Sequence, residues 1–122
     1  PLSRLQQGTP GIIAEEDSYT NHIHADDLAR IGVAALRHGK PCRVYHASDD
    51  SHLKMGEYFD LVADAYHLPR VPRISRAEAQ RVLPEMLLSF MNESRRLTNQ
   101  RMKRELKVKL RYPTVADMLA AL

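Results

Sequence analysis

Thr20-Asn21-His22-Ile23-His24-Ala25-Asp26-Asp27-Leu28-Ala29 is the stretch whose reading decides the fold. Its first half alternates: β-branched Ile23 faces away from His22 and His24, as at the end of a strand. Asp26 and Asp27 then fall at or just inside a helix start. There a carboxylate accepts from unpaired backbone N–H groups and meets the positive end of the dipole. From Leu28 onward, Leu28, Ile31, Gly32, Ala35 and Leu36 recur with helical spacing. A strand that enters a helix through an acidic first turn is a β–α unit.

Downstream, the helix should stop at Gly39, a residue suited to a left-handed cap, and Pro41 bars its continuation. Residues 43–47, Arg-Val-Tyr-His-Ala, read as a second strand. Strand, helix and strand with short joints predict a βαβ piece with parallel pairing, and Gly32 would let the helix lie close to the sheet. The expected class is therefore α/β, with short parallel strands at about 20–25 and 43–47 and several helices.

Residues 48–52 read as a polar turn and 53–66 as a helix with Met55, Phe59, Val62, Ala63 and Tyr66 on one face. Pro69 and Pro72 restrict 69–74 to a linker or edge strand. Ser75 with Glu78 predicts a capping box, and Pro84 starts or kinks the next helix. Asn99 is expected to cap a short helix carrying Met102 and Leu106. Thr114 with Asp117 predicts a second capping box, with Val115, Met118, Leu119 and Leu122 as its apolar side.

Upstream, residues 1–19 read as a short helical turn followed by a loop around Gly8-Thr9-Pro10-Gly11. Gly8, Gly11 and Ala14 match a G-x-x-G-x-x-A spacing. A dinucleotide fingerprint needs a strand before it and a helix after it, and here Pro10 interrupts and acidic Glu15, Glu16 and Asp17 follow. A cofactor role for these glycines is rejected.

A chain of 122 residues with 43% hydrophobic and 27% charged residues has the make-up of one ordinary globular domain. No apolar run approaches the roughly 20 residues that span a bilayer, and no signal-peptide pattern opens the sequence. Cys42 is the only cysteine, so no internal disulfide forms, in keeping with a reducing, cytoplasmic setting. A net charge of +3 does not by itself imply nucleic acid, and neither nucleic acid nor membrane is expected as a partner.

His22, His24, Asp26 and Asp27 are metal-competent types, yet no distant cluster completes a shell and the aspartates already serve the helix start, so no metal site is expected. Cys42 beside Arg43 could have a lowered thiol pKa, but a lone cysteine entering a strand reads better as a small buried hydrophobe. The basic residues Arg95, Arg96, Arg101, Lys103, Arg104, Lys107, Lys109 and Arg111 crowd one stretch. Arg101, Lys103, Arg104 and Lys107 scatter round a helix and read as a solvated face. A small basic nucleic-acid-binding module using the 95–111 run is the rival reading, weakened by the lack of aromatic residues inside it.

The opening stretch resembles the "D-x-I-H-x-x-D-L-A" segment in the C-terminal half of extended short-chain dehydrogenases/reductases, the NAD(P)-dependent epimerase/dehydratase group. Val44-Tyr45-His46 is similar to the family's "V-Y-N" strand. Residues 94–106, Ser-Arg-Arg-Leu-Thr-Asn-Gln-Arg-Met-Lys-Arg-Glu-Leu, are similar to its "R-x-x-x-x-x-K-x-x-x-E-L-G" segment, and Tyr112-Pro113-Thr114 to the proline-containing stretch that follows. The ordered set runs through nearly the whole chain. Thr20, Asn21 and His46 stand where many members carry Arg, Asp and Asn.

The resemblance implies that residues 1–122 form a single C-terminal, substrate-side segment that completes a Rossmann-type sheet. The parent would be an NAD(P)-dependent nucleotide-sugar epimerase/dehydratase or related reductase. The family's hydride transfer uses a Tyr with a Lys four residues later; none of Tyr19, Tyr45, Tyr58, Tyr66 or Tyr112 has one. The glycine fingerprint and catalytic pair are thus expected before Pro1, where the sequence opens in mid-phrase; a processed N-terminus is the plainer alternative. NAD or NADP would belong to the full-length protein, and this segment alone would bind neither and hold no catalytic residue. Asn21, His24, Arg95 and Arg96 are the expected contacts to a small-molecule substrate, the arginines meeting the phosphates of a nucleotide sugar as forked donors can. The expected partner is the missing N-terminal half or a second copy of the chain.

Overall fold

Asp27 and the ring of His24 set the start of the longest helix, and the rest of its unit is arranged around it. The computed structural model describes residues 2–122; Pro1, and with it the expected opening of the chain, lies outside them. In chain order the elements are α1 (Leu2–Gln7), β1 (Gly11–Ile12), β2 (Tyr19–Thr20), α2 (Ala25–His38), β3 (Leu53–Lys54), α3 (Met55–Ala65), β4 (Arg73–Ile74), α4 (Arg76–Val82), α5 (Glu85–Met91), α6 (Gln100–Leu106) and α7 (Val115–Ala120). A 3₁₀ turn, Ala14–Glu16, lies between β1 and β2. The chain divides into two compact units: residues 1–20 with 52–95, and residues 21–51 with 96–122. Among the described residues no helix is long and apolar enough to cross a membrane.

In the first unit, β1 pairs in parallel with β4, Gly11 opposite Arg73 and Ile12 opposite Ile74. β2 pairs antiparallel with β3. Ile12, Ala79 and Met91 are buried together, with Met55, Ile74, Leu83, Leu87 and Leu88 packed round them. The start of α3 is held from outside the helix: Asp17 accepts from the Gly56 N–H at 2.7 Å, which satisfies an orphan donor at the dipole's positive end. A Cβ at Gly56 would sit 2.4 Å from an Arg73 guanidinium nitrogen, so a side chain there would displace the far end of Arg73. That guanidinium is itself engaged by Asp60 at 2.6 Å. Phe59, Val62 and Ala63 of α3 are buried, as the helical spacing predicts, while Tyr66 is exposed. The Ser75 hydroxyl accepts from the Glu78 N–H at 3.2 Å, and Pro84 stands at the N-cap of α5.

In the second unit, Ile31, Met102, Leu106, Val108 and Leu110 form the core, and Ile23, Ala34, Ala35, Tyr45 and Ala47 pack against it. α2 and α6 are the facing helices. Thr114 and Asp117 form the expected capping box at α7.

Four local expectations are corrected. Gly39 ends α2 but not in a left-handed conformation: φ is −62° and its N–H donates to Ala35. Glycine is required instead by crowding, since a Cβ would lie 2.4 Å from the Ala35 carbonyl oxygen. The left-handed φ falls on Cys42, at +59°, and that residue is exposed rather than buried. Asn99 occupies the N-cap position of α6 but turns its amide away, donating to the Ser48 carbonyl at 3.0 Å and to Asp50 at 2.8 Å. Gly32 has open space over it, with no heavy atom within 4 Å of where a Cβ would be, so among the described residues no sheet lies against it.

The α/β class holds, with the strands differently placed. Tyr19–Thr20 marks the leading end of the strand expected at 20–25, and it pairs antiparallel. Residues 43–47 form no strand; just beyond them, the Asp49 N–H donates to the His22 carbonyl at 2.7 Å. A strand is defined by its neighbour, and the parallel pair that does form is β1 with β4.

Candidate functional site

The second unit carries three of the four expected substrate contacts. His24 is the N-cap of α2, its Nδ1 accepting from the Asp26 N–H at 3.0 Å. The capping oxygen expected from the aspartates is thus supplied by an imidazole nitrogen. An acceptor Nδ1 carries no proton, so the neutral His24 ring bears its hydrogen on Nε2. The ring stacks on Tyr112, centroids 4.1 Å apart with 24° between planes.

Asp27, freed from capping, is wholly buried. Its carboxylate accepts from the backbone N–H groups of Arg111 at 3.0 Å and Tyr112 at 2.9 Å, and from Arg30 Nη1 at 3.0 Å. Burial alone would push this carboxyl up; the Arg111 and Tyr112 N–H donors and the Arg30 guanidinium outweigh it and hold the group below the usual carboxylate value. The same guanidinium donates to the Lys109 carbonyl at 2.9 Å. Asp27 therefore fastens the 109–112 segment to the start of α2, which sets the ring of Tyr112 over His24. Partial burial lowers the pKa of His22, keeping it neutral.

Asn21 is exposed and its Oδ1 accepts from the Leu97 N–H at 3.1 Å, which places it beside the chain that carries Arg96. Arg96 is exposed in this unit. Arg95 is the last residue of the other unit, where its N–H donates to the Tyr19 carbonyl at 3.4 Å.

A concave polar surface of about 290 Å³ lies in the second unit, lined by Val44, His46, Thr98, Gln100, Arg101 and Arg104. No carboxylate is in this lining. Arg101 donates to the Val44 carbonyl at 3.1 Å, which anchors one guanidinium against the 43–47 segment. Its charge is shared with Glu105, 3.8 Å away, which also meets Arg43 at 3.2 Å and the Tyr45 hydroxyl at 3.1 Å. Two guanidinium groups, an imidazole, a hydroxyl and an amide in one concavity suit an oxyanion. Arg101 and Arg104 are exposed, as a solvated helix face requires, and they also line this surface. The signal was their i,i+3 spacing, which puts both on one side of α6, opposite a residue from the 43–47 segment.

The 95–111 run is not one helix. α6 ends at Leu106, and beyond it buried Val108 and Leu110 alternate with exposed Lys107, Lys109 and Arg111. Lys103 is engaged by Asp50 at 2.7 Å. Among the described residues no three His, Cys, Asp or Glu side chains are grouped to hold a metal ion.

No family model and no curated protein matches this sequence. Solved structures do. A functionally unknown conserved protein from Silicibacter pomeroyi DSS is similar at 31% identity and a TM-score of 0.77, over 86% of this chain and 37% of that one. The human epimerase family protein SDR39U1 (isoform 2), solved with NADPH, is similar at 19% identity and a TM-score of 0.76, over 98% of this chain and 40% of that one. The chain thus spans about two fifths of the length of these proteins. Its mixed α/β fold, with seven helices among the described residues and a few short strands, matches a Rossmann-like fragment.

Proposed function

We propose that this chain is the substrate-side part of an NAD(P)-dependent epimerase, dehydratase or related reductase, and that the cofactor site and catalytic residues lie in a part of the parent protein outside these residues. The observation that carries this reading is the likeness over 98% of the chain to two fifths of an epimerase-family protein solved with NADPH. The ordered sequence likeness from His22 to Tyr112 supports it independently of the fold. On this reading the segment's task is to position a small molecule against a nicotinamide, contributing binding energy remote from the reacting atoms.

The substrate class that fits is a phosphate-bearing compound such as a nucleotide sugar. His46, Arg101 and Arg104 supply donors in a concavity with no lining carboxylate, and Arg96, Asn21 and His24 belong to the same unit. The test is turnover of UDP- and dTDP-sugars by the complete gene product with NAD(H) or NADP(H). Arg96→Ala and Arg104→Ala should each raise KM about tenfold, at a cost in transition-state binding near 1.4 kcal/mol, with kcat little changed. Loss of kcat at unchanged KM, or no turnover with any phosphate-bearing substrate, would overturn the assignment.

A further inference from the structure

α2 and the chain that leaves α6 run side by side. Just beyond the end of α2, Lys40 meets Glu105 at 3.9 Å, and nearer its start Arg30 donates to the Lys109 carbonyl at 2.9 Å. Residues 105–109 therefore pass antiparallel along α2, with Lys107 midway. Between the two lies a groove of about 410 Å³, which shares no lining residue with the concavity at Arg101 and Arg104. Buried Leu106 and Val108 and half-buried Ala34 supply its deeper lining, and exposed Val33 its apolar edge.

The polar part of this lining is basic. Arg30, Arg37, His38 and Lys107 line the groove and no carboxylate does. Arg30 and Arg37 stand seven residues apart on one side of α2, with Val33 and Ala34 between them. Among the described residues Arg30 is tied through Nη1, to Asp27 and to the Lys109 carbonyl, which holds its guanidinium in place and leaves Nε and Nη2 open. The Arg37 and Lys107 side chains have neither an ion pair nor a hydrogen bond among the described residues. Lys107 also sits in a left-handed conformation, φ +57°. A Cβ is strained there, whereas glycine is at ease. A strained backbone held at a residue that lines a groove is the pattern of a functional position.

We infer that this groove is a binding site for a small amphipathic carboxylate, an organic acid with an apolar body. Lys107 and Arg37 meet the carboxylate, and Val33, Leu106 and Val108 take the body. A groove of a few hundred Å³ is of the size that holds small ligands. Cations without partners, in a concavity without a competing carboxylate, select an anion. The apolar lining then favours an anion that carries hydrocarbon over a bare ion. The groove belongs to the second unit alone and needs neither nicotinamide nor nucleotide sugar, so it stands apart from the proposed function.

The test is titration of octanoate into the complete gene product, followed by amide chemical shifts, with octanol, acetate and inorganic phosphate as comparisons. Octanoate should shift the amides of residues 29–38 and 106–108 saturably, and each of the other three should bind at least about tenfold more weakly. Lys107→Gly should raise the thermal midpoint, because the left-handed strain is relieved, and yet weaken octanoate about tenfold. Arg37→Ala should weaken it comparably with the midpoint unchanged. A more stable protein that binds less is not a damaged fold. No saturable shift at these amides overturns the inference. Octanol as strong as octanoate reduces the groove to an apolar patch, and acetate or phosphate as strong makes it a bare-anion site; either overturns it. A Lys107→Gly variant that binds octanoate like the unaltered protein overturns it as well.

Discussion

Asp27 is the residue on which the second unit turns. It is wholly buried, and the charge is tolerated because three N–H donors meet it. Asp27→Asn keeps the shape but points an NH₂ group at donors, so urea unfolding should show a loss of about 2–4 kcal/mol. Two groups of the second unit contribute to the acid limb of stability. The pKa of Asp27 is lowered in the folded state, so its contribution is complete above the ordinary carboxylate value, about 3.9, and is lost as pH falls below it. The pKa of His22 is lowered too; the unfolded chain then binds the extra proton, and stability falls as pH drops below about 6.5. His22→Asn should flatten the decline between about pH 6.5 and 5 while leaving the carboxylate step in place. The histidines and aspartates stood out in the sequence as chemistry-bearing. Their division of labour, imidazole as cap and carboxylate as buried tie, could not be read there, because it depends on where residues 109–112 return.

At the scale of elements, helix ends show what sequence conveys and what it leaves out. The capping box of Thr114 and Asp117 and the Ser75 cap are local and were legible. The cap of α6 is local as well, yet its left-handed position is filled by Lys107, φ +57°, after Glu105-Leu106. The family segment that this stretch resembles has glycine there, and the backbone conformation gives the reason: a Cβ in the left-handed region costs about 1–2 kcal/mol. Lys107→Gly should therefore raise stability by about 0.5–1 kcal/mol after the added entropy of the unfolded glycine is set against it. Gly39→Ala should do the reverse by about 2 kcal/mol, since its Cβ would meet the Ala35 carbonyl oxygen at 2.4 Å. Thermal melts of the three proteins order them. The strand expected at 43–47 illustrates the other side: hydrophobic alternation sets which face is buried, and Tyr45 and Ala47 obey it. It says nothing about whether a neighbouring strand is present, so the face was legible and the pairing was not.

At the scale of the whole molecule, the α/β class followed from a strand pattern feeding a helix, and the likeness to part of an epimerase-family protein agrees with it. The candidate site was less legible. Arg101, Arg104 and His46 meet only once α6 lies beside residues 43–47, and a run of eight basic residues does not reveal which two share a concavity with which imidazole. On the proposed function, this chain is one part of a nicotinamide-dependent enzyme and holds substrate but not cofactor. Fluorescence titration of NADPH into the complete gene product and into residues 1–122 tests that division directly. The account predicts saturable binding by the complete protein and none by residues 1–122; binding of equal strength by residues 1–122, or none by the complete protein, would contradict it.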